Sequence, residues 1–346
     1  MKYLLIDGNN LAVRAAFANE TLTNKDGIPT GVHYGVFQSL IGLKQNYHDY
    51  QFLMVWDGKS KRRMRESEEG VKRSLIKSAY KANRKKEEMP KPLLDFHEQS
   101  IFLKRGIAQT GIPQIRLQDF EADDIIASYA KKLTPEEVVA VTSDYDYLQI
   151  LRDNVSIWDG MKQKKITKTS FMEEYKIQPS MYVDVGALMG DSGDNIFGIS
   201  GWGDKTALEA IQQHAKWENL YKYYHSTYGS LRIQFPDLTD YEEFKKLQNI
   251  TTKSGKPKYA EIILGMPYTG VALAVEEKRT KNISKSILMA LMFKERVKLA
   301  YSLKKMDDDI RDLPPIQQGQ FNSKKLLEYF EYYGIYSLVD SIDVFR

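Results

Sequence analysis

The chain has 346 residues, more than one average domain, so a main domain with a smaller companion is the natural expectation. It has no cysteine, which excludes disulfides and thiolate zinc sites, and its five histidines (His33, His48, His97, His214, His225) lack metal-ligand spacing, so any metal must be held by oxygen. The net charge is only +4, yet residues 59–86 hold twelve Lys or Arg against three Glu, which leaves the remainder at about −5.

The N-terminus enters a strand-like YLLID at once, and no apolar run is long enough for a membrane span. Without cysteine or a leader, the expected location is the cytoplasm. The first half then alternates short β-rich runs, YLLI (3–6), FLMVW (52–56) and VVAV (138–141), with helical periodicity over 31–47, 91–110, 121–133 and 168–176. This alternation predicts an α/β domain with a mostly parallel sheet flanked by helices. Beyond about Pro179 the pattern is helical, with a glycine-rich break at 198–203 and no strand series. Pro314-Pro315 ends one helical stretch, and the tail FNSKKLLEYFEYYGIYSLVDSI reads as one or two amphipathic helices. Such helices either dock a partner or pack on their own core, the commoner fate.

The apolar runs of the first half each lead to an aspartate: YLLI to Asp7, FLMVW to Asp57, and VVAVTS to Asp144 with Asp146 close behind. In open parallel sheets ligands bind beyond the carboxyl ends of the strands, which predicts these acids on one rim. A single aspartate there is usually a turn former or a helix cap. Three in the same setting point to a shared role. FEADDIIASYAKKL opens a helix with Glu121, Asp123 and Asp124, more acid than the helix dipole needs. LMGDSGDN places Asp191 and Asp194 three apart, on one face if the segment is helical. So many carboxylates in one pocket need a counter-ion, and hard oxygen donors suit Mg²⁺, with Mn²⁺ as substitute. Their number predicts two ions, as in two-metal phosphoryl chemistry.

In the basic stretch SAYKANRKK, Lys81, Arg84 and Lys85 fall on one side of a helix, where lysine and arginine can steady a scissile phosphate. Tyr80 either stacks on an unpaired base or packs in the core. In GISGWGDKTA (198–207), Gly198, Gly201 and Gly203 allow a tight hairpin whose N–H groups can meet phosphate, with Lys205 and Thr206 opening the next helix.

Taken in order, LIDGNN, VWDG, YKANR, EADD, TSDYDYLQ and GDSGDNIFGISGWGDKTA resemble the 5′-nucleases: flap endonucleases, the 5′-exonuclease domain of bacterial polymerase I, and phage ribonuclease H. The resemblance runs from residue 3 to about 207, and the size and divergence look like a phage member. It implies a PIN-like catalytic domain over 1–178 with a helical arch at 59–88. It also implies an all-helical DNA-binding part over 179–346, with a helix-three-turn-helix (helix-hairpin-helix) element at 198–207 and a tail at 314–346. Residues 226–310 have no counterpart, and KSGKPKYAEIILGMPYTG looks like a lineage-specific insertion.

Carried over by motif, Asp7, Asp57, Glu121 and Asp123 would hold the first ion with Asp124 near it. Asp144 and Asp146 would lie between the two ions, and Asp191 and Asp194 would complete the second site. Lys81 and Arg84 would be catalytic residues of the arch, with Tyr80 and Lys85 on the DNA. Gly198, Gly201, Gly203, Lys205 and Thr206 would hold duplex, often with K⁺. Trp202 departs from the small or aliphatic residue usual in the family.

The implied activity is structure-specific, divalent-metal-dependent 5′-3′ exonuclease and flap endonuclease cleavage of DNA 5′ ends and flaps. RNA primers in RNA–DNA hybrids would be cut as well, during replication or repair, by a two-metal-ion mechanism. The corresponding expectation is a monomer, in a bacterial host's cytoplasm if phage-encoded, working beside a single-strand binding protein or clamp. Two rivals differ in class. A PIN-type ribonuclease shares the acidic core but generally lacks the arch and glycine hairpin. A non-catalytic DNA-structure binder would gain nothing from so much negative charge near phosphate.

Overall fold

The computed structural model describes residues 1–73, 75–76, 78–84, 86–199, 201–228, 290 and 293–346. Lys85, the insertion-like stretch KSGKPKYAEIILGMPYTG and most of 226–310 lie outside the described residues. The strands are β1 (Lys2–Asp7), β2 (Gln51–Trp56), β3 (Gln114–Arg116), β4 (Glu137–Val141), β5 (Val155–Asp159), β6 (Lys164–Ile166), β7 (Gly190–Asp191) and β8 (Ile196–Phe197). The first helices are α1 (Gly8–Ala18), α2 (Gly31–Asn46), α3 (Lys61–Lys72), α4 (Lys91–Ala108), α5 (Ala122–Lys132) and α6 (Lys168–Tyr175). They are followed by α7 (Tyr182–Met189), α8 (Asp204–His214), α9 (Trp217–Tyr228), α10 (Lys294–Lys304) and α11 (Ser323–Tyr333). Among the described residues no helix is long and apolar enough to cross a membrane.

The chain forms two compact units, and the first joins Met1–Lys61, Arg84–Glu174 and Met306–Arg346. Its six-stranded sheet has the order β3-β2-β1-β4-β5-β6. Every neighbouring pair is parallel except β5 and β6. Central β1 aligns Leu4 with Phe52 on one side and Val139 on the other, and its residues from Tyr3 to Asp7 are all buried. Such burial on both faces is why these strands read as unbroken apolar runs. The order reverses between β1 and β4, which makes their carboxyl ends the topological switch point where α/β sheets bind ligands.

The expected strands and helices stand within about two residues of their sequence-based bounds. Strands β3, β5 and β6 and helix α1 are additions that the hydrophobic pattern does not announce. β3 and β6 are three residues each with little apolar content, and α1 opens on Gly8-Asn9-Asn10, poor helix formers that Asp7 caps by accepting from the Asn10 N–H.

The tail belongs to this unit, not to the helical part over 179–346. Leu326, Phe330 and Tyr333 of α11 are buried, and Phe330 meets Phe37 of α2 edge-on at 4.9 Å. Buried His33 stacks on Tyr333 at 3.8 Å and hydrogen-bonds to the Tyr329 hydroxyl. Burial holds the imidazole down at about 4, so it is neutral at ordinary pH. Helix α4 packs closely against the same tyrosine, since a Cβ on Gly106 would lie 2.3 Å from the Tyr329 ring.

The second unit joins Arg62–Asn83 to Tyr175–Lys305. The expected arch segment therefore groups with the helical part. Its α3 is helical, the described residues 78–84 form turns and bends, and the two-residue strands of the β7–β8 hairpin interrupt an otherwise helical part beyond Pro179. Within this unit α3 runs against α10 in the opposite direction. Arg62 donates to the Lys305 carbonyl at 2.6 Å and to the Ser302 carbonyl, Glu66 accepts from the Ser302 hydroxyl, and Arg73 pairs with Glu295 at 3.2 Å. Gly70 sits where a Cβ would be 2.4 Å from Leu299, so the two helices meet closely there.

If the tail is core, truncating its central aromatic is costly. Phe330→Ala is expected to destabilise the first unit by about 3–5 kcal/mol, the range for a buried phenylalanine, in urea unfolding. A change below about 0.5 kcal/mol would mark the tail as a loosely attached appendage.

Candidate active site

The rim is built by the strand ends. Asp7 closes β1: its Oδ1 accepts from the Asn10 N–H at 2.9 Å and its Oδ2 from the Tyr147 hydroxyl at 3.0 Å. Asp57 follows β2, and its Oδ1 accepts from the Ala122 N–H at 2.8 Å, capping α5 from a distance. That bond brings the β2 end to the helix start that carries Glu121, Asp123 and Asp124. Gly58 makes this approach possible, because a Cβ there would lie 2.0 Å from the Leu117 carbonyl. Asp144, after β4, caps the 3₁₀ turn Tyr145–Ile150 by accepting from the Asp146 N–H at 2.8 Å.

Three residues that sequence reasoning did not single out hold these ends in register. Asn9 Oδ1 accepts from the Asp57 N–H and Asn10 Oδ1 from the Ser143 N–H, each at 3.1 Å, so two adjacent asparagines tie β1 to both neighbours. Tyr147 is fully buried and serves as hydroxyl donor to Asp7. Their signal was present: polar residues inside LIDGNN and TSDYDYLQ, with no solvent-facing reason to recur beside the acids.

Burial pushes the Asp7 carboxyl up, to about 8, and the Asp57 charge adds to it; the Asn10 N–H opposes, and Asp144 raises it further. The Tyr147 hydroxyl is pushed well above its ordinary value by burial first, then by Asp7, Asp123, Asp144 and Asp57. Four acids of the expected set therefore act on one buried point. The donors are hard oxygens, and the desolvated negative charge at Asp7 is what a divalent cation would relieve, so these residues fit such an ion. Among the described residues no three His, Asp or Glu side chains already stand close enough together to hold a metal ion. Glu121 is buried at the N-cap of α5. Asp124, 1% exposed, is tied into the fold, since its Oδ1 accepts from the Asp307 N–H at 2.7 Å and pins the chain that leads into the tail.

The remaining predicted residues that the structure describes belong to the second unit, except Arg84, which is exposed and falls in the first. Asp191 and Asp194 do not share a helix face. Asp191 ends β7 and Asp194 lies in the turn toward β8, a hairpin that Gly190 enters at a φ of 79°. Asp191 Oδ1 accepts from the Gly193 and Asp194 N–H groups, and its Oδ2 pairs with Lys304 at 2.8 Å. Burial pushes this carboxyl up, yet Lys304 and the turn N–H groups outweigh it and hold it below its ordinary value.

Lys81 is likewise not on a helix; it sits in a turn at a φ of 57°. Tertiary bonds override the helical spacing. The Lys81 N–H donates to the Asp194 carbonyl, and its Nζ lies 3.9 Å from the Asp194 carboxylate. Tyr80, 6% exposed, donates its hydroxyl to the same carboxylate at 2.9 Å, so its ring is packed within the unit. Asn195 completes the joint by donating to the Ser78 and Ala79 carbonyls.

The glycine-rich stretch follows β8 directly and leads into α8, with the β7–β8 hairpin separating it from α7. Gly198 passes so close to Gly190 that a Cβ would meet its nitrogen at 2.4 Å, and Gly201 has a φ of 84°. Trp202 is buried, so the departure from the family pattern is taken up by packing. Gly203 caps α8, where Lys205 projects with its side chain 90% exposed and Thr206 is half-buried.

A family model described as the 5′-3′ exonuclease N-terminal resolvase-like domain matches residues 2–176, and one described as the 5′-3′ exonuclease C-terminal SAM fold matches 177–263. The chain belongs to the 5′-3′ exonuclease family. The family's members are hydrolases acting on DNA phosphodiester bonds. The 5′-3′ exonuclease of Bacillus subtilis (strain 168) is 33% identical over 228 residues, 63% of this chain and 72% of that protein. The thermostable DNA polymerase I of Thermus thermophilus is 35% identical over 224 residues, or 64% of this chain, and the match spans only 25% of that polymerase's length. Among solved structures, T5 5′-exonuclease with bound zinc ions aligns at a TM-score of 0.58 and 18% identity, covering 100% of this chain and 97% of that one. The catalytic core of Rad2 in complex with DNA substrate aligns at 0.54 and 14%, covering 98% and 92%. These likenesses show the fold, a mostly parallel sheet domain with a helical companion.

The folded Asp7 carboxyl keeps its proton to higher pH than the unfolded one, so the metal-free protein is expected to lose stability as pH rises from about 4 toward 8. Asp7→Asn removes that slope and raises the metal-free Tm at pH 8 by roughly 2–6 °C. Thermal melts across this range check it; identical slopes in both proteins would contradict it.

Proposed function

We propose that this chain is a structure-specific 5′ nuclease that cleaves DNA at 5′ ends and flaps with two divalent cations, Mg²⁺ by preference and Mn²⁺ in its place. The observation that carries this reading is buried Asp7, crowded by Asp57, Asp144 and Asp123 around Tyr147 at the switch point of a parallel sheet. Asp7, Asp57, Glu121, Asp123, Asp144 and Asp146 would hold the ions, with Asp191 and Asp194 as the second ion's further ligands and Asp124 supporting the first. When bound, the ions supply Lewis acidity toward the attacking water and the leaving oxygen.

This chain's own residues do the rest. Asn9 and Asn10 fix the relative heights of the strand-end acids, and Tyr147 orients the inner carboxylate. Lys81 and Arg84 would meet the scissile phosphate, Lys81 from a turn rather than a helix. Gly198, Gly201, Gly203, Lys205 and Thr206 would grip duplex backbone at the start of α8, with K⁺ as a candidate ion there. RNA-primed ends fit the same grip, since it reads backbone rather than bases. We further propose a cytoplasmic monomer acting in replication or repair. The apolar face of α11 is buried in the core, so a clamp or single-strand binding protein at the tail would meet the tail's exposed side, which carries Tyr332 and Tyr336.

A 5′-flap DNA duplex incubated with Mg²⁺ should yield short 5′-phosphorylated products. Asp144→Asn should slow the reaction at least about a hundredfold, the scale of losing one preorganised electrostatic group. Equal rates for the two proteins would refute the assignment, and cleavage confined to single-stranded RNA would turn it toward a PIN-type ribonuclease.

A further inference from the structure

We propose that Lys304 is a positioning residue that acts as a built-in competitor for the divalent ion at Asp191. This rests on the metal-site reading above and goes beyond it, since a lysine takes no part in that ligand set. Lys304 ends α10 with its side chain only 5% exposed, and its Nζ lies 2.8 Å from Asp191 Oδ2. Its stem runs over α7, where a Cβ on Gly186 would lie 3.3 Å from Lys304 Cε. The ammonium is thus delivered along a fitted path rather than by a loose surface chain.

The other oxygen of Asp191 is engaged too, accepting from Gly193 at 2.9 Å and Asp194 at 3.2 Å. Both oxygens therefore already have partners inside the unit. A cation approaching Oδ2 must displace the ammonium or share the oxygen with it, and either lowers that ion's affinity. The benefit is a charged, aimed carboxylate without the repulsion that crowds Asp7. The two acids differ in kind. The Asp7 oxygens receive only hydrogen bonds from neutral donors among the contacts described, whereas Asp191 Oδ2 is paired with the Lys304 ammonium. The ion at Asp191 should accordingly be the weaker of the two, filling only at higher metal concentration.

The test is calorimetric titration of the full chain with Mn²⁺, without DNA, with bound ions counted by electron paramagnetic resonance. Wild type, Lys304→Met, Lys304→Gln and Asp191→Asn are compared. The expected result is two ions in wild type, the weaker lost or weakened at least tenfold in Asp191→Asn, and the same ion tightened by about fivefold or more in Lys304→Met. Lys304→Gln serves if the methionine variant does not fold, and it should tighten that ion in the same direction. A weaker ion that responds to Asp191→Asn but not to removal of Lys304 overturns the competitor role while leaving the metal site standing. Titrations unchanged by Asp191→Asn would remove Asp191 from the ligands, and the proposal with it.

Discussion

Everything in the first unit turns on the cost of holding carboxylates together away from water. Asp7 is buried at the end of the central strand, with Asp57 and Asp144 close enough to raise its proton affinity further. Folding alone gains nothing from that arrangement, because like charges in a desolvated site are uphill. The sheet order brings the acids there, the paired asparagines lock them in register, and Tyr147 fills the floor beneath them. Each of these supports makes sense if the missing positive charge arrives as an ion.

Much of this is legible in the amino-acid sequence. Buried parallel strands leave unbroken apolar runs, so β1, β2 and β4 and the acids at their ends can be read directly. Legibility ends where tertiary bonds decide local shape. YKANRKK has helical charge spacing, but Tyr80 and Asn195 tie the segment to a neighbouring turn and Lys81 adopts a left-handed backbone. The turn at Asp191 misleads in the same way, because its spacing of three suits a helix while Gly190 starts a hairpin. The allegiance of a segment is even less visible. No local pattern says that residues 62–83 belong with 175–305, or that the tail returns to the first unit.

The two units meet the problem of buried charge differently. In the first, carboxylates gather and are oriented by neutral donors. In the second, Asp191 is matched by Lys304 and Asp194 by Tyr80 and Lys81. A pair of that kind adds little net stability when buried, yet losing one partner is expensive, so its main effect is to fix geometry.

The stapling of residues 78–83 to the β7–β8 turn has a mechanical consequence. At one end of the basic segment, α3 is zipped along α10, and α10 finishes at the lysine that holds Asp191. At the other end, Tyr80, Lys81 and Asn83 are fastened to residues 192–194 of that same turn. The segment therefore stands with both feet on one short hairpin, and a pull on it is transmitted to Asp191 along two independent routes. Tension on the basic segment and displacement of the Asp191 carboxylate become a single motion, carried by one closed loop of contacts.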